Sequence, residues 1–125
     1  MKSDMLYVHE TDPIARALEL MMTGLVHHLP VLGKDLRIVG MLSDRDLLRG
    51  LAGGQRRTAP VALVMSRAVH VVRPSVHAHV AVQRMLDAGI SSLAVESEDG
   101  SIVGIVTSHD FLPVAEEALR GSGEE

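Results

Sequence analysis

One constant offset governs the chain. Gly40 is matched by Gly104, Ser43 by Thr107 and Asp46 by Asp110, each pair 64 residues apart. The same spacing pairs Val8 with Val72, Ala17 with Ala81, Met21 with Met85, Leu29 with Leu93 and Val31 with Val95. It runs from Tyr7 to Leu48 without an insertion. A period this long, present twice, is not a solenoid unit but a duplicated small motif. The whole chain has 125 residues, about one domain's worth, so the two copies must share a folding unit.

Each copy carries the same succession of signals. An apolar stretch (Met5 to Val8; Val69 to Val72) reads as a strand. Thr11 or Asp12, and Ser75 in the second copy, offer side-chain acceptors to start a helix, with Pro13 tolerated in the first turn. Ile14, Ala17, Leu18, Met21, Met22 and Leu25 then recur at helical spacing, as do Ala78, Ala81, Val82, Met85 and Leu86. Gly24 and Gly89 are the expected stops. Two apolar runs follow in each copy, joined through Gly33 and through Asp99-Gly100, a hairpin signal. Ser43 and Thr107 open a last helix, which Pro113 should kink or cut in the second copy.

The expected organisation is a first motif at 1–52, a linker at 53–60, a second motif at 61–120 and a polar tail at 121–125. The fold class is α+β, two β-α-β-β-α motifs packed face to face, because one copy cannot cover its own sheet. The first copy has little room before it for a segment like Ala59 to Met65, which precedes the second. That shortfall is what a piece cut from a longer chain would show, and the residues do not say whether this one is such a piece.

Composition narrows the function. Twelve Lys and Arg stand against sixteen Asp and Glu, a net charge of −4, the wrong sign for nucleic acid or an anionic membrane. Tyr7 and Phe111 are the two aromatic residues, so a base bound here must lie on aliphatic surface. Without cysteine there is no disulfide, thiolate catalysis or thiolate metal site, which suits a cytoplasmic location. No apolar run approaches the ~20 residues of a membrane span. Seven histidines invite a metal reading, but His27-His28 should point to opposite faces of a strand and His77-x-His79 is poorly spaced on a helix. No nucleophile, base and orienting group can be assembled, so an enzyme is not expected.

The closing segments, Gly40-Met41-Leu42-Ser43-Asp44-Arg45-Asp46 and Gly104-Ile105-Val106-Thr107-Ser108-His109-Asp110, together with Leu29-Pro30-Val31, resemble the CBS domain, named after cystathionine β-synthase. The resemblance spans about residues 5–118. It implies a tandem pair forming one pseudo-twofold module with two clefts, binding an adenosine-containing ligand (AMP, ADP, ATP or S-adenosylmethionine) as a regulatory ligand and not as a required cofactor. It also implies a homodimer, with an enzyme or a transporter as the regulated partner. The candidate binding residues are Leu29, Pro30, Ser43, Arg45 and Asp46 in the first copy and Ser92, Leu93, Thr107, His109 and Asp110 in the second.

Elementary chemistry supports these positions. A helix start offers free N–H groups and a positive dipole end to phosphate, and a carboxylate three residues on can accept from ribose hydroxyls. The same Ser/Thr-x-x-Asp spacing also describes a capping box that needs no ligand. A structural dimerisation module without a physiological ligand thus remains the alternative. Arg45 opposite His109 makes the first cleft the stronger phosphate site and the second the better nucleoside site. Arg49, Arg56 and Arg57 complete a local basic group, with Arg56-Arg57 read as solvated linker.

Overall fold

The computed structural model describes residues 5–123. In chain order the elements are β1 (Val8–His9), α1 (Ile14–Gly24), β2 (His28–Leu32), β3 (Ile38–Ser43) and α2 (Asp44–Ala52). A 3-10 turn (Val61–Leu63) leads to β4 (Val71–Val72), α3 (Ala78–Ala88), β5 (Ser92–Glu96) and β6 (Ile102–Thr107). A second 3-10 turn (Ser108–Phe111) and α4 (Leu112–Gly123) close the chain. The α+β motif therefore occurs twice, each copy building a three-stranded sheet ordered β1-β2-β3 or β4-β5-β6. The outer pairing is parallel and the hairpin antiparallel in both. Registers repeat too: His28 opposes Ser43 as Ser92 opposes Thr107, and the bulge after Val31 recurs after Val95.

The sheets meet through Leu32 and Met41 from one repeat and Ala94 and Ile102 from the other, all buried. Met5, Tyr7, Val69, Val71 and Ile105 surround this contact. Behind the first sheet, Ile14, Ala17 and Met21 of α1 and Leu47 of α2 pack on Val8, Leu29, Val31 and Leu42. Behind the second, Ala81 and Met85 of α3 pack on Val72 and Leu93, beside a half-buried Phe111. The helical spacing of these residues is what turns one face of each helix inward.

The helix starts differ from expectation. Pro13 and His77 occupy the N-cap positions, and neither supplies a side-chain acceptor. The Asp12 carboxylate accepts instead from the His9 N–H at 2.9 Å. The linker backbone caps α1: Ile14 N–H donates to the Ala59 carbonyl at 2.8 Å and Ala15 N–H to the Arg57 carbonyl at 2.9 Å. Val61 and Met65 then enter the core of the first repeat, and Met41 and Ser66 exchange two backbone hydrogen bonds of 2.9 Å. Residues 61–66, placed by the repeat at the head of the second unit, thus complete the first.

The helix ends also diverge. Gly89 adopts the left-handed conformation after α3, at φ 66°. After α1 that role falls to Leu25, at φ 53°, while Gly24 remains helical. A Cβ on Gly24 would run into the Leu6 side chain, so this glycine admits a close neighbour instead. Pro113 sits in the first turn of α4, where its missing N–H is harmless, and it neither cuts nor ends that helix. The helix continues past Arg120 to Gly123, into the segment expected to be a tail. Among the described residues no helix is long and apolar enough to cross a membrane.

The linker's hold on β3 sets up a paired test. A Cβ on Gly40 would lie 2.5 Å from Met65 Sδ and 2.9 Å from the Ser66 carbonyl oxygen, whereas one on Gly104 meets nothing within 4 Å among the described residues. Gly40→Ala should lower stability by about 1–3 kcal/mol, the usual cost of overpacking. Gly104→Ala should stay within ~0.5 kcal/mol of the parent. Urea denaturation of both variants checks the contrast.

Candidate functional site

Two clefts lie between the repeats, each built from both. The first, of about 480 Å³, is lined by Met41, Ser43, Arg45 and Asp46 of the first repeat and by Ser66, Val69, His70 and the Gly89–Ser92 segment. The second, of about 330 Å³, sets Ile105 and Thr107 to Asp110 of the second repeat against Leu25 to His28 and Ser91. Met41 and Ile105 occupy equivalent places, as do Ser43 and Thr107. Both volumes fall within the span of small-molecule sites.

The sequence-derived residues divide accordingly. Ser43, Arg45, Asp46 and Ser92 come together in the first cleft, and Thr107, His109 and Asp110 in the second. Leu29, Pro30 and Leu93 do not line either cleft; their side chains are buried, Leu29 and Leu93 at 0% exposure. In a strand successive side chains face opposite sides, so when position 29 or 93 points into the core its predecessor, His28 or Ser92, faces out. Sequence reasoning passed over His28, Ser91, His70 and the Leu25-Val26 pair. Apart from His70, which precedes β4, their signal was the segment after each first helix, which the pseudo-twofold carries to the opposite motif.

At the start of α2, Asp46 N–H donates to Ser43 Oγ at 3.1 Å and Ser43 N–H to Asp46 Oδ2 at 2.9 Å. This is a reciprocal capping box. The other carboxylate oxygen, Oδ1, has only Arg49 near it, at 3.4 Å. Arg45 is exposed on the cleft wall and forms no ion pair among the described residues. In the second repeat Thr107 N–H donates to Asp110 Oδ2 at 2.7 Å, and the Thr107 hydroxyl reaches the same oxygen at 3.3 Å. Arg56 and Arg57 line neither cleft.

His28 lines both clefts, with its Nε2 3.1 Å from Ser91 Oγ. Burial lowers its pKa from the ordinary value, against the pull of Asp44 and Asp46 and with a smaller push from His27. His27 is itself exposed and paired with Asp44 at 3.0 Å. The rings of His77 and His79 stack on each other, 5.9 Å apart. Among the described residues no three His, Asp or Glu side chains converge to hold a metal ion.

Comparison with known proteins places this geometry. The CBS domain profile matches residues 1–53 and 61–117. The chain belongs to the CBS domain family. It is 27% identical over 117 residues to homoserine O-acetyltransferase of Methanohalobium evestigatum, an alignment covering 94% of this chain but 23% of that protein. The chain thus spans about a quarter of the length of that curated relative. Among solved structures, the CBS domain pair of protein MJ0100, in complex with 5′-methylthioadenosine and S-adenosylmethionine, superposes with a TM-score of 0.82 at 21% identity, covering 94% of this chain and 93% of that one. CBSX2 in complex with AMP gives 0.75 at 27% identity, covering 94% and 91%.

The position of His28 makes one consequence measurable. A base whose folded pKa is depressed binds fewer protons folded than unfolded, so stability is lost as pH falls below the unfolded value near 6.5. Between pH 7.5 and 5.5 the thermal midpoint of His28→Asn should therefore fall less than that of the parent.

Proposed function

We propose that the chain is a regulatory module that senses adenosine-containing nucleotides in the two clefts between its CBS motifs. The observation that carries this reading is the start of α2, where a permanently charged arginine, a helix-cap hydroxyl and a carboxylate share one cleft wall. Paired CBS units are typically regulatory and not catalytic, and CBSX2 and the MJ0100 pair are described with adenosine compounds. An adenine nucleotide is accordingly the expected ligand, with no cofactor required.

Each group has a distinct task in the first cleft. Arg45 and the N–H groups opening the nine-residue α2 receive phosphate. The Ser43 hydroxyl, already an acceptor in the cap, keeps its proton free to donate. Asp46 holds Ser43 N–H with one oxygen and offers the other to ribose hydroxyls. The base lies among Met41, Val69 and Ile90, because neither Tyr7 nor Phe111 reaches the cleft. In the second cleft Thr107, His109 and Asp110 take the corresponding places, and Ser92 belongs with the first. Leu29, Pro30 and Leu93 act by fixing the strands that frame both.

Asp46→Asn keeps a carbonyl oxygen for the cap but removes the charge. It should weaken AMP in the first cleft by about 1.5–3 kcal/mol in calorimetric titration, the scale of a charged hydrogen bond. Arg45→Ala should weaken AMP more than adenosine. If Asp46→Asn lowers stability while leaving AMP binding unchanged, the capping box is the residue's whole role and the ligand-free dimerisation module is the better reading.

Assembly follows from the helix faces. Met22 and Leu48 are 74% and 63% exposed on α1 and α2, beside an apolar groove lined by Leu18, Met22 and Leu51. Leu86 and Leu119 are likewise exposed on α3 and α4. Surfaces of this kind are covered in a homodimer. Light scattering at tens of micromolar should give twice the monomer mass, 13.4 kDa; monomer with and without AMP would refute the dimer. The regulated partner, an enzyme or a transporter, would read the geometry of that dimer.

A further inference from the structure

The two clefts are copies that have diverged at their mouths, and one position stands out. Leu25 and Gly89 are equivalent in the repeat, follow α1 and α3, and both hold left-handed backbone, at φ 53° and 66°. Glycine takes that conformation freely; leucine takes it against steric strain. Leu25 is also 87% exposed, so burial returns almost nothing to the fold in exchange. It lines the second cleft, where Gly89 lines the first. Strain kept at a cleft mouth points to the contents of the cleft.

The rest of the second cleft agrees. Leu25, Val26 and Ile105 give it an apolar wall. Its ionisable lining groups are His27, His28, His109 and Asp110, with no lysine or arginine. His27 is paired with Asp44, and burial favours the neutral form of His28. The element opening at Thr107 is a four-residue 3-10 turn, whereas α2 in the first cleft has nine residues and carries Arg45. A phosphate in the second cleft would face the Asp110 carboxylate without a permanent cation. An uncharged apolar group would meet Leu25 instead.

We propose that the second cleft selects adenosine derivatives whose 5′ substituent is short, uncharged and apolar, such as a thioether, and that Leu25 sets this preference by closing over the substituent. The inference rests on the reading of the clefts as adenosine sites. The two clefts then report on different compounds, a phosphorylated one in the first and an apolar one in the second.

Calorimetric titration at pH 7.5 with 5′-methylthioadenosine and AMP tests it, using the parent chain and an Asp46→Asn variant that weakens the first cleft. In the Asp46→Asn background 5′-methylthioadenosine should bind about tenfold or more tighter than AMP, the effect of covering one apolar side chain. Adding Leu25→Gly should bring the two within about threefold of each other, while Leu25→Met, with a side chain of similar volume, should keep the preference. Leu25→Gly relieves the left-handed strain, so its thermal midpoint should not fall, and a loss of preference cannot be put down to unfolding. Equal binding of the two compounds before Leu25 is changed, or a ratio that Leu25→Gly leaves intact, overturns the inference while AMP binding to the parent's first cleft stands. Failure of both compounds to bind the parent chain overturns the underlying reading instead.

Discussion

A dry contact between two copies of one sheet underlies everything else here. Neither three-stranded sheet, with an edge strand of two paired residues, has the extent to stand alone in water. Leu32 and Met41 against Ala94 and Ile102 join them, and this join brings the end of each repeat's second hairpin strand opposite the segment that leaves the other repeat's first helix. The clefts are by-products of that apolar contact. Lose it, and Ser43 to Asp46 no longer face Gly89 to Ser92. His28 and Ser91, touching at 3.1 Å, mark where the two clefts adjoin.

Duplication fixes the frame and leaves the electrostatics free to drift. The registers and bulges of the two sheets coincide, since moving a strand by one residue would turn its core face outward. The cleft walls carry no such penalty. There Arg45 became the counterpart of His109, an α-helix the counterpart of a 3-10 turn, and Leu25 the counterpart of Gly89. Symmetry in the backbone therefore coexists with asymmetry in charge at the two clefts.

Much of this was legible in the residues. The constant offset gave the two motifs, their element order and the helix start at Ser43, because side-chain caps and apolar periodicity are local signals, whereas Thr107 opens a 3-10 turn and α4 begins only at Leu112. Positions 43, 45, 46, 107, 109 and 110, which the closing motif singled out, line the two clefts. What escaped was non-local. Thr11, Asp12 and Ser75 looked like caps, yet carbonyls of the linker cap α1, and a carbonyl has no sequence signature. Leu29 and Leu93 sit one residue inward of the cleft, a matter of strand phase that a motif alone cannot fix, and Pro30 is buried beside Leu29. Leu25 in the left-handed conformation ran against propensity, with Gly24 beside it as the easier choice.

The linker's part in the first repeat has a consequence for how such a chain is made. Synthesis proceeds from the N-terminus, and domains tend to fold as they emerge. Here α1 keeps its first N–H groups open, and β3 keeps a bare edge at Met41, until Arg57, Ala59 and Ser66 have left the ribosome. Emergence of the linker thus acts as a clock. The first motif can then be capped and edged before the second copy appears, but its sheet stays uncovered until Ala94 and Ile102 arrive.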